Sequence, residues 1–371
     1  MGPADEPLVL RHAEGETKIV VGDGALVRAV SGNPELWQAR TVFLVSSPTV
    51  LRLHGPALAP LRAAAPALVE LEVPDGEAAK CVAVAARLWE EMARRGGKRD
   101  SVVVAFGGGS VGDVAGFAAA TFLRGVALVQ LPTTLLAQVD AAIGGKTAID
   151  IAAGKNLVGA FHQPRLVVAE SAWLRTLPRA ELRSGLIEAI KMAALLDLDL
   201  LGRIERDLDL LLAGDPAALS PVVRAAAAAK VGVVERDPFE GGERQLLNYG
   251  HTFGHALEVA AGYGAMPHGD AVAWGMRFCH RLALRRGADA TFVARVERLL
   301  DRCLIPPPQA VAAAELIANL ARDKKARQDG LTWVLPMAPG AGERVRGIGE
   351  AEVATEIESF LLHIRGGPGP V

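Results

Sequence analysis

Cysteine is scarce in this chain of 371 residues: Cys81, Cys279 and Cys303 are the three it has, and none forms a CxxC pair. That excludes a disulfide framework and a cysteine-built zinc site, and the scattered thiols read as small buried hydrophobes in a reducing compartment. An excess of one charge is missing too. The 40 Lys and Arg against 42 Asp and Glu leave a net charge of −2, so nothing draws the chain in bulk to nucleic acid or an anionic membrane. No run of about 20 uncharged apolar residues occurs, which argues against a membrane span. The opening "MGPADEPLVLRH" has no basic start followed by an apolar stretch; secretion is not expected, and the cytoplasm is the expected setting. There is no internal repeat. There is also no Walker A sequence: "GGGSVGDVAG" has no GK[ST], and "GGKT" lacks the earlier glycine at the required spacing. What is present is length enough for two ordinary domains and 50% hydrophobic residues, hence a globular protein with a sizeable core. Recognition of phosphate, in such a chain, must come from local clusters of Lys and Arg.

Two textures divide the chain. Up to about residue 172, short β-branched runs such as "TVFLVSS", "LVELEVP", "SVVVAF", "VALVQLP" and "RLVVAE" alternate with helical patterns at 77–96 and 113–125. Alternating strands and helices predict βαβ units and a mainly parallel, Rossmann-like sheet, with "EPLVLRHAEGETKIVVGDGA" as a hairpin at its edge. Beyond 172 the patterns are helical with Gly or Pro breaks, apart from one late strand at "LTWVLP". The expected organisation is an α/β domain over 1–172, a mostly α-helical domain over 173–364 and a disordered tail over 365–371. A ligand site is expected where the two domains meet.

Within the α/β part, "VVVAF" runs into "GGGSVGD" and then a helix, so Gly107, Gly109 and Gly112 fit the GxGxxG spacing in its strand–loop–helix context. Such glycines let backbone approach a pyrophosphate at a helix N-terminus. The competing reading is a glycine-rich turn that packs a helix on a sheet. The acidic ribose partner usual about 20 residues on is missing, since that region reads "FLRGVALVQLP". A second loop, over 132–164, sets Thr133 and Thr134 at a strand end, then Asp140, then Lys146, Lys155 and Asn156 in "GGK" and "GKN". Glycine-flanked lysines suit phosphate or hydroxyl groups; the alternative is solvated loop lysines.

In the helical part, "NYGHTFGHALE" places His251 and His255 four apart, on one helical face. His268 and His280 follow, and "GLIEAIK" supplies Glu188 with Lys191 one turn later. One glutamate and two histidines with open positions make a normal catalytic zinc set. Spacing alone pairs His251 with His255; histidines that only hydrogen-bond in a core are the competing reading.

Taken together, "GGGSVGDVAGFAAATFLRG", "QLPTTLLAQVDAAIGGKTAID", "GKNLVGAFHQP", "TLPRAELRSGLIEAIK", "LLNYGHTFGHALE" and "HGDAVAWGM" resemble the 3-dehydroquinate synthase family, in order, from about "PDGEAAK" to "DKK". The resemblance implies that Glu188, His251 and His268 hold zinc (or cobalt) and that His255 faces substrate. It places NAD along Asp75, Glu77 and Lys80, on the loop Gly109, Ser110, Val111, Gly112 and Asp113, and toward Thr133, Thr134, Lys146, Lys155 and Thr176. It assigns the substrate phosphate to Lys146, Asn156 and one of Lys324 or Lys325, the carboxylate to Lys230 and Arg244, and lining or catalytic positions to Asp140, Lys191, Glu240 and Asn248. Arg124 matches an arginine lent across a homodimer interface.

The family's chemistry is oxidation of one hydroxyl of a seven-carbon keto-acid sugar phosphate, β-elimination of phosphate, return of the hydride, ring opening and aldol closure. Two departures stand out. Ser47 and Thr49 replace the Asp and Asn often found near the adenosine ribose, and Asp270 replaces the more usual Glu after the zinc histidine. Sister sugar phosphate cyclases, an aminodehydroquinate synthase among them, and metal-dependent polyol dehydrogenases are the rival readings.

Overall fold

The computed structural model describes residues 6–39, 41–262, 264–306, 308, 311–326 and 330–365, with 323–326 and 365 described by backbone alone. The chain divides into two compact units, Met1–Leu182 with Ala213–Phe239, and Arg183–Leu212 with Glu240–Val371.

The first unit is built on a seven-stranded sheet. Strands β1 (Leu8–His12) and β2 (Gly15–Gly22) form the expected antiparallel hairpin at its edge. Next come β3 (Val42–Ser46), β4 (Leu68–Glu72), β5 (Val102–Gly107) and β6 (Ala127–Pro132). Strands β7 (Lys146–Ile151) and β8 (Gly154–Phe161) form a separate antiparallel pair, with one bridge from Asp150 to Cys81, and β9 (Leu166–Glu170) returns to the sheet. The order is β1-β2-β9-β6-β5-β3-β4, parallel at every pair except the first. Along β5, Val103 and Ala105 enter one apolar core while Val102, Val104 and Phe106 enter the other. Successive side chains point to opposite faces, and both faces are covered, so the strand reads as an unbroken apolar run. Each buried Val or Phe in it contributes about 1.5–3 kcal/mol.

The lysine-rich stretch expected as a loop is the β7–β8 hairpin. Its glycines and lysines mask a period of two: Thr147 and Ile149 are buried and lie against the helix Gly109–Thr121, where a Cβ on Gly116 would meet Thr147 Cγ2 at 2.4 Å.

The second unit holds the helices Leu198–Leu212, His251–Ala261, His268–Leu284, Ala290–Arg302, Ala313–Ala326 and Glu350–Arg365, and the hairpin of β10 (Thr332–Ala338) and β11 (Ala341–Arg346). Of these strands only β10 was legible in the sequence. The helix Arg179–Leu196 runs through the 182/183 boundary. The single boundary expected at 172/173 therefore differs from the observed division, because the helix Pro216–Arg236 belongs to the first unit, where it packs on β1 and β2. Periodicity reveals that a helix has an apolar face but not which element covers it. Among the described residues this is the one helix long and apolar enough to cross a membrane; here it is a core helix, with Leu219, Val222, Val223, Ala226 and Ala227 buried. The tail expected to be disordered lies outside the described residues, except for the backbone of Arg365 at a helix end.

Candidate active site

In the first unit, candidate residues gather at the C-terminal ends of the parallel strands, where open α/β sheets bind ligands. The glycine loop follows β5, and the three glycines have different reasons to be there. A Cβ on Gly107 would meet Val111 at 2.7 Å, and one on Gly112 would meet Gln130 Oε1 at 2.9 Å. These two are required by packing of the helix on the sheet. A Cβ on Gly109 would make only an ordinary 3.7 Å contact with Ala141, so packing does not require a glycine there. Gly109 opens the helix Gly109–Thr121, whose N-terminus has no side-chain cap, leaving backbone N–H groups to meet an anion. Val111 sits in the core, so backbone is what it can offer a ligand.

Beside the loop lies a network of pre-paired charges. Buried Lys80 reaches Asp113 at 2.8 Å and Asn156 Oδ1 at 2.5 Å, while Lys155 lies 3.2 Å from Glu77 and Ser110 donates to Glu77 at 2.9 Å. Burial alone would lower the Lys80 pKa, but the charge and hydrogen bond of Asp113, with the charges of Glu77 and Asp150, together outweigh it and raise the pKa, so the ammonium persists. Asn156 holds a left-handed backbone (φ 55°) with its N–H on Asp150 Oδ1 at 2.8 Å. Asp75 is exposed, and hydrogen bonds from Ser47 and Thr49, the latter at 2.8 Å, help to hold its carboxyl below the usual range. The two departing residues thus turn to Asp75. Thr133 N donates to Gly107 O at 2.9 Å and Thr134 Oγ1 accepts from Ala137 N at 3.2 Å. Asp140 lies in a single π-helical turn, Ala137–Ala141, a distortion that often marks functional positions, and it pairs closely with the buried Lys230. Thr176 Oγ1 lies 2.9 Å from His54 Nε2. Lys146 starts β7 and is exposed, and Arg124 is exposed in a left-handed turn (φ 67°).

In the second unit, the helix Arg179–Leu196 supplies Glu188, fully buried, with Lys191 one turn on. Lys191 Nζ forms an ion pair with Glu188 Oε2 at 2.5 Å, and both Glu188 oxygens lack a hydrogen-bond partner among the described residues. Glu188 Oε1 is 3.7 Å from Nε2 of both His251 and His268. That is too long for a hydrogen bond and close to the roughly 3.4 Å between two ligands about 2.1 Å from one tetrahedral ion. A buried carboxylate with unsatisfied oxygens beside two imidazoles fits a divalent metal. His251 Nδ1 lies 3.3 Å from the Tyr249 carbonyl oxygen; burial, then the Lys191 charge, push its pKa well down, leaving the neutral ring that metal binding needs. Burial would lower the His268 pKa as well, but the hydrogen bond to Glu258 at 3.2 Å and the charges of Glu258 and Glu188 together outweigh it and raise it.

His255 is exposed and lines a recess with Glu240, Gln245, Asn248, His251, Thr252 and Thr332. Its ligand nitrogen also lies within 4.8 Å of those of His251 and His268, so distance alone leaves a three-histidine set open, as spacing did. Asn248 Nδ2 donates to Glu240 Oε1 at 2.6 Å. Arg244 is buried in the same unit. Asp270 accepts a two-pronged hydrogen bond from Arg183 at 2.6 and 2.7 Å, tying the helix of Glu188 to the helix of His268. The side chains of Lys324 and Lys325 lie outside the described residues.

Two participants were not read from the sequence. Glu258 lies on the His251–Ala261 helix, and its signal was a 251, 255, 258 stripe along one helical face. Tyr249 acts through its carbonyl, which no side-chain motif reveals.

The fold of the chain is similar to those of solved cyclases. It resembles a solved 2-deoxy-scyllo-inosose synthase, complexed with carbaglucose-6-phosphate, NAD+ and Co2+, with TM-score 0.85 and 27% identity over 95% of this chain and 99% of that one. It also resembles 2-epi-5-epi-valiolone synthase from Streptomyces hygroscopicus subsp. jinggangensis, with NAD+ and Zn2+ bound, with TM-score 0.84 and 27% identity over 94% and 96%. Residues 70–184 match the family 3-dehydroquinate synthase N-terminal, and residues 185–326 match 3-dehydroquinate synthase C-terminal. A 3-dehydroquinate synthase of Geobacter metallireducens is 44% identical over 349 residues, 93% of this chain and 94% of that protein. The chain belongs to the 3-dehydroquinate synthase family.

Proposed function

We propose that this protein converts 3-deoxy-D-arabino-heptulosonate 7-phosphate to 3-dehydroquinate and phosphate, an NAD- and divalent-metal-dependent lyase of the shikimate pathway acting in the cytoplasm as a homodimer. The observation that carries the metal-dependent chemistry is Glu188, a fully buried carboxylate without a hydrogen bond among the described residues, beside His251 and His268. Bound metal supplies Lewis-acid polarisation of a substrate oxygen, and bound NAD supplies a reversible hydride acceptor.

The protein's own groups do the rest. Glu188, His251 and His268 hold the metal, and Lys191 steadies the Glu188 carboxylate. The backbone N–H groups at Gly109–Asp113 receive the cofactor pyrophosphate, and Asp75 accepts from a ribose hydroxyl with Ser47 and Thr49 behind it. Glu77, Lys80, Lys155, Thr133, Thr134 and Thr176 complete the cofactor's surroundings. Lys146 and Asn156, with Lys324 or Lys325 and an Arg124 from the second copy, bind the phosphate; positive charge there stabilises the phosphate as it leaves. Lys230 and Arg244 bind the carboxylate. His255, exposed in the recess with Asn248 and Glu240, is placed to move protons to and from the sugar hydroxyls, and Asp140 orients Lys230.

The test is phosphate release from 3-deoxy-D-arabino-heptulosonate 7-phosphate by protein loaded with NAD and Co2+ or Zn2+. Release with NAD regenerated at each turnover is expected. Silence from loaded protein sinks the assignment, and net NADH formation from a simple polyol points to a dehydrogenase instead.

A further inference from the structure

We propose that Glu258 is a positioning residue of the metal site, fixing the proton of His268 on Nδ1 so that Nε2 is presented to the metal. The inference rests on the reading of Glu188, His251 and His268 as ligands.

The geometry comes from two helices. Glu258 Oε2 lies 3.2 Å from His268 Nδ1, and the opposite ring nitrogen faces Glu188 Oε1 at 3.7 Å. An ionised carboxylate only accepts hydrogen bonds, so Nδ1 must be the donor. In the neutral ring the lone pair then sits on Nε2, the nitrogen that faces the buried carboxylate. His251 is held in the same way by a different acceptor, the Tyr249 carbonyl, 3.3 Å from its Nδ1. The two ligands thus receive unequal support, one from a neutral carbonyl and one from a charge. A carboxylate behind an imidazole raises the basicity of the ligating nitrogen, and the Glu258 side chain is 13% exposed against 31% for His268.

The alternative is that Glu258 merely ties the helix His251–Ala261 to the helix His268–Leu284. That tie already exists elsewhere. A Cβ on Gly275 would lie 1.8 Å from Gly250 O, and one on Gly254 would lie 3.0 Å from Ala271 O, so the two helices touch backbone to backbone without Glu258. Removing the carboxylate is expected to leave that packing alone and to act on the metal.

The experiment uses the full chain stripped of metal and measures Co2+ affinity by chelator competition, with the Co2+ absorption bands and the thermal midpoint of the metal-free protein. Wild type is expected to bind Co2+ and His268→Ala to lose it. Glu258→Ala is expected to bind about 10–100-fold more weakly, with shifted absorption bands and an unchanged metal-free midpoint. Glu258→Gln keeps an acceptor without the charge and is expected to fall between. Wild-type affinity and bands in both variants, or a loss of affinity that only follows a loss of metal-free stability, overturns the proposal. If Glu258→Ala does not fold, Glu258→Gln decides alone: weaker binding supports the role and equal binding refutes it. Failure of wild type to bind Co2+ overturns the ligand reading itself, a distinct result.

Discussion

The two units handle charge in opposite ways. In the first, three cations of the candidate site already have a carboxylate partner: Lys80 has Asp113, Lys155 has Glu77 and Lys230 has Asp140. In the second, the carboxylate of Glu188 is buried, ion-paired with Lys191 and without a hydrogen bond among the described residues. A site for anions can rest neutral, because a phosphate or pyrophosphate entering it takes over donors that carboxylates were holding. A site for a divalent cation needs surplus negative charge and ligand lone pairs, so its resting state is left incomplete. Desolvation of a buried charge is expensive, and Lys191, 2.5 Å from Glu188 Oε2, offsets part of that cost.

The contrast breaks most visibly at the histidines. His251→Ala is expected to lose bound metal and reduce phosphate release on the order of a thousandfold, whereas His255→Ala keeps metal and loses rate. Metal content and turnover measured together check this, and equal metal loss in both variants would move the ligand set to the three histidines. A smaller, thermodynamic effect is expected at Lys191→Met. Without the ammonium the metal-free protein should lose about 3–5 kcal/mol in urea unfolding, with much of it restored by Co2+; no metal-dependent recovery would mean that Glu188 is not completed by a cation. In the first unit, Thr49→Ala removes one donor to an exposed carboxylate and should change NAD affinity by no more than about fivefold, read by fluorescence titration. A much larger loss would show that the pre-paired network is less self-sufficient than it looks. Smallest is a labelling result. Burial pushes the Cys279 and Cys303 thiols up to about 12, so at pH 8 almost no thiolate exists at either. Partly exposed Cys81 should alkylate in the native protein while the other two react only after unfolding, as mass spectrometry of the peptides will show.

Much of the fold was open to reading. Strands β3, β5, β6 and β9, buried along their length, announced themselves as apolar runs, and "GGGSVGD" sat where a strand–loop–helix turn demands it. Glu188, His251, His255 and His268 were named from residue type, order and family resemblance. The β7–β8 hairpin was not read, because glycine and lysine obscure its alternation, and neither was the allegiance of the helix Pro216–Arg236 to the first unit. Pattern along a chain reports which face of an element avoids water, a local property of side-chain spacing. It carries no information on which distant element covers that face. For the same reason the histidine spacing located a metal-type cluster but could not weigh Glu188 against His255, since the weight comes from two orphaned oxygens that only packing creates. Glu258, ten residues from His268 in sequence, became a partner of that ring only when two helices met at Gly250 and Gly275. The kinds of chemistry were written in residue types and spacing; which atoms face which depended on burial, because proximity and dielectric are properties of the packed chain.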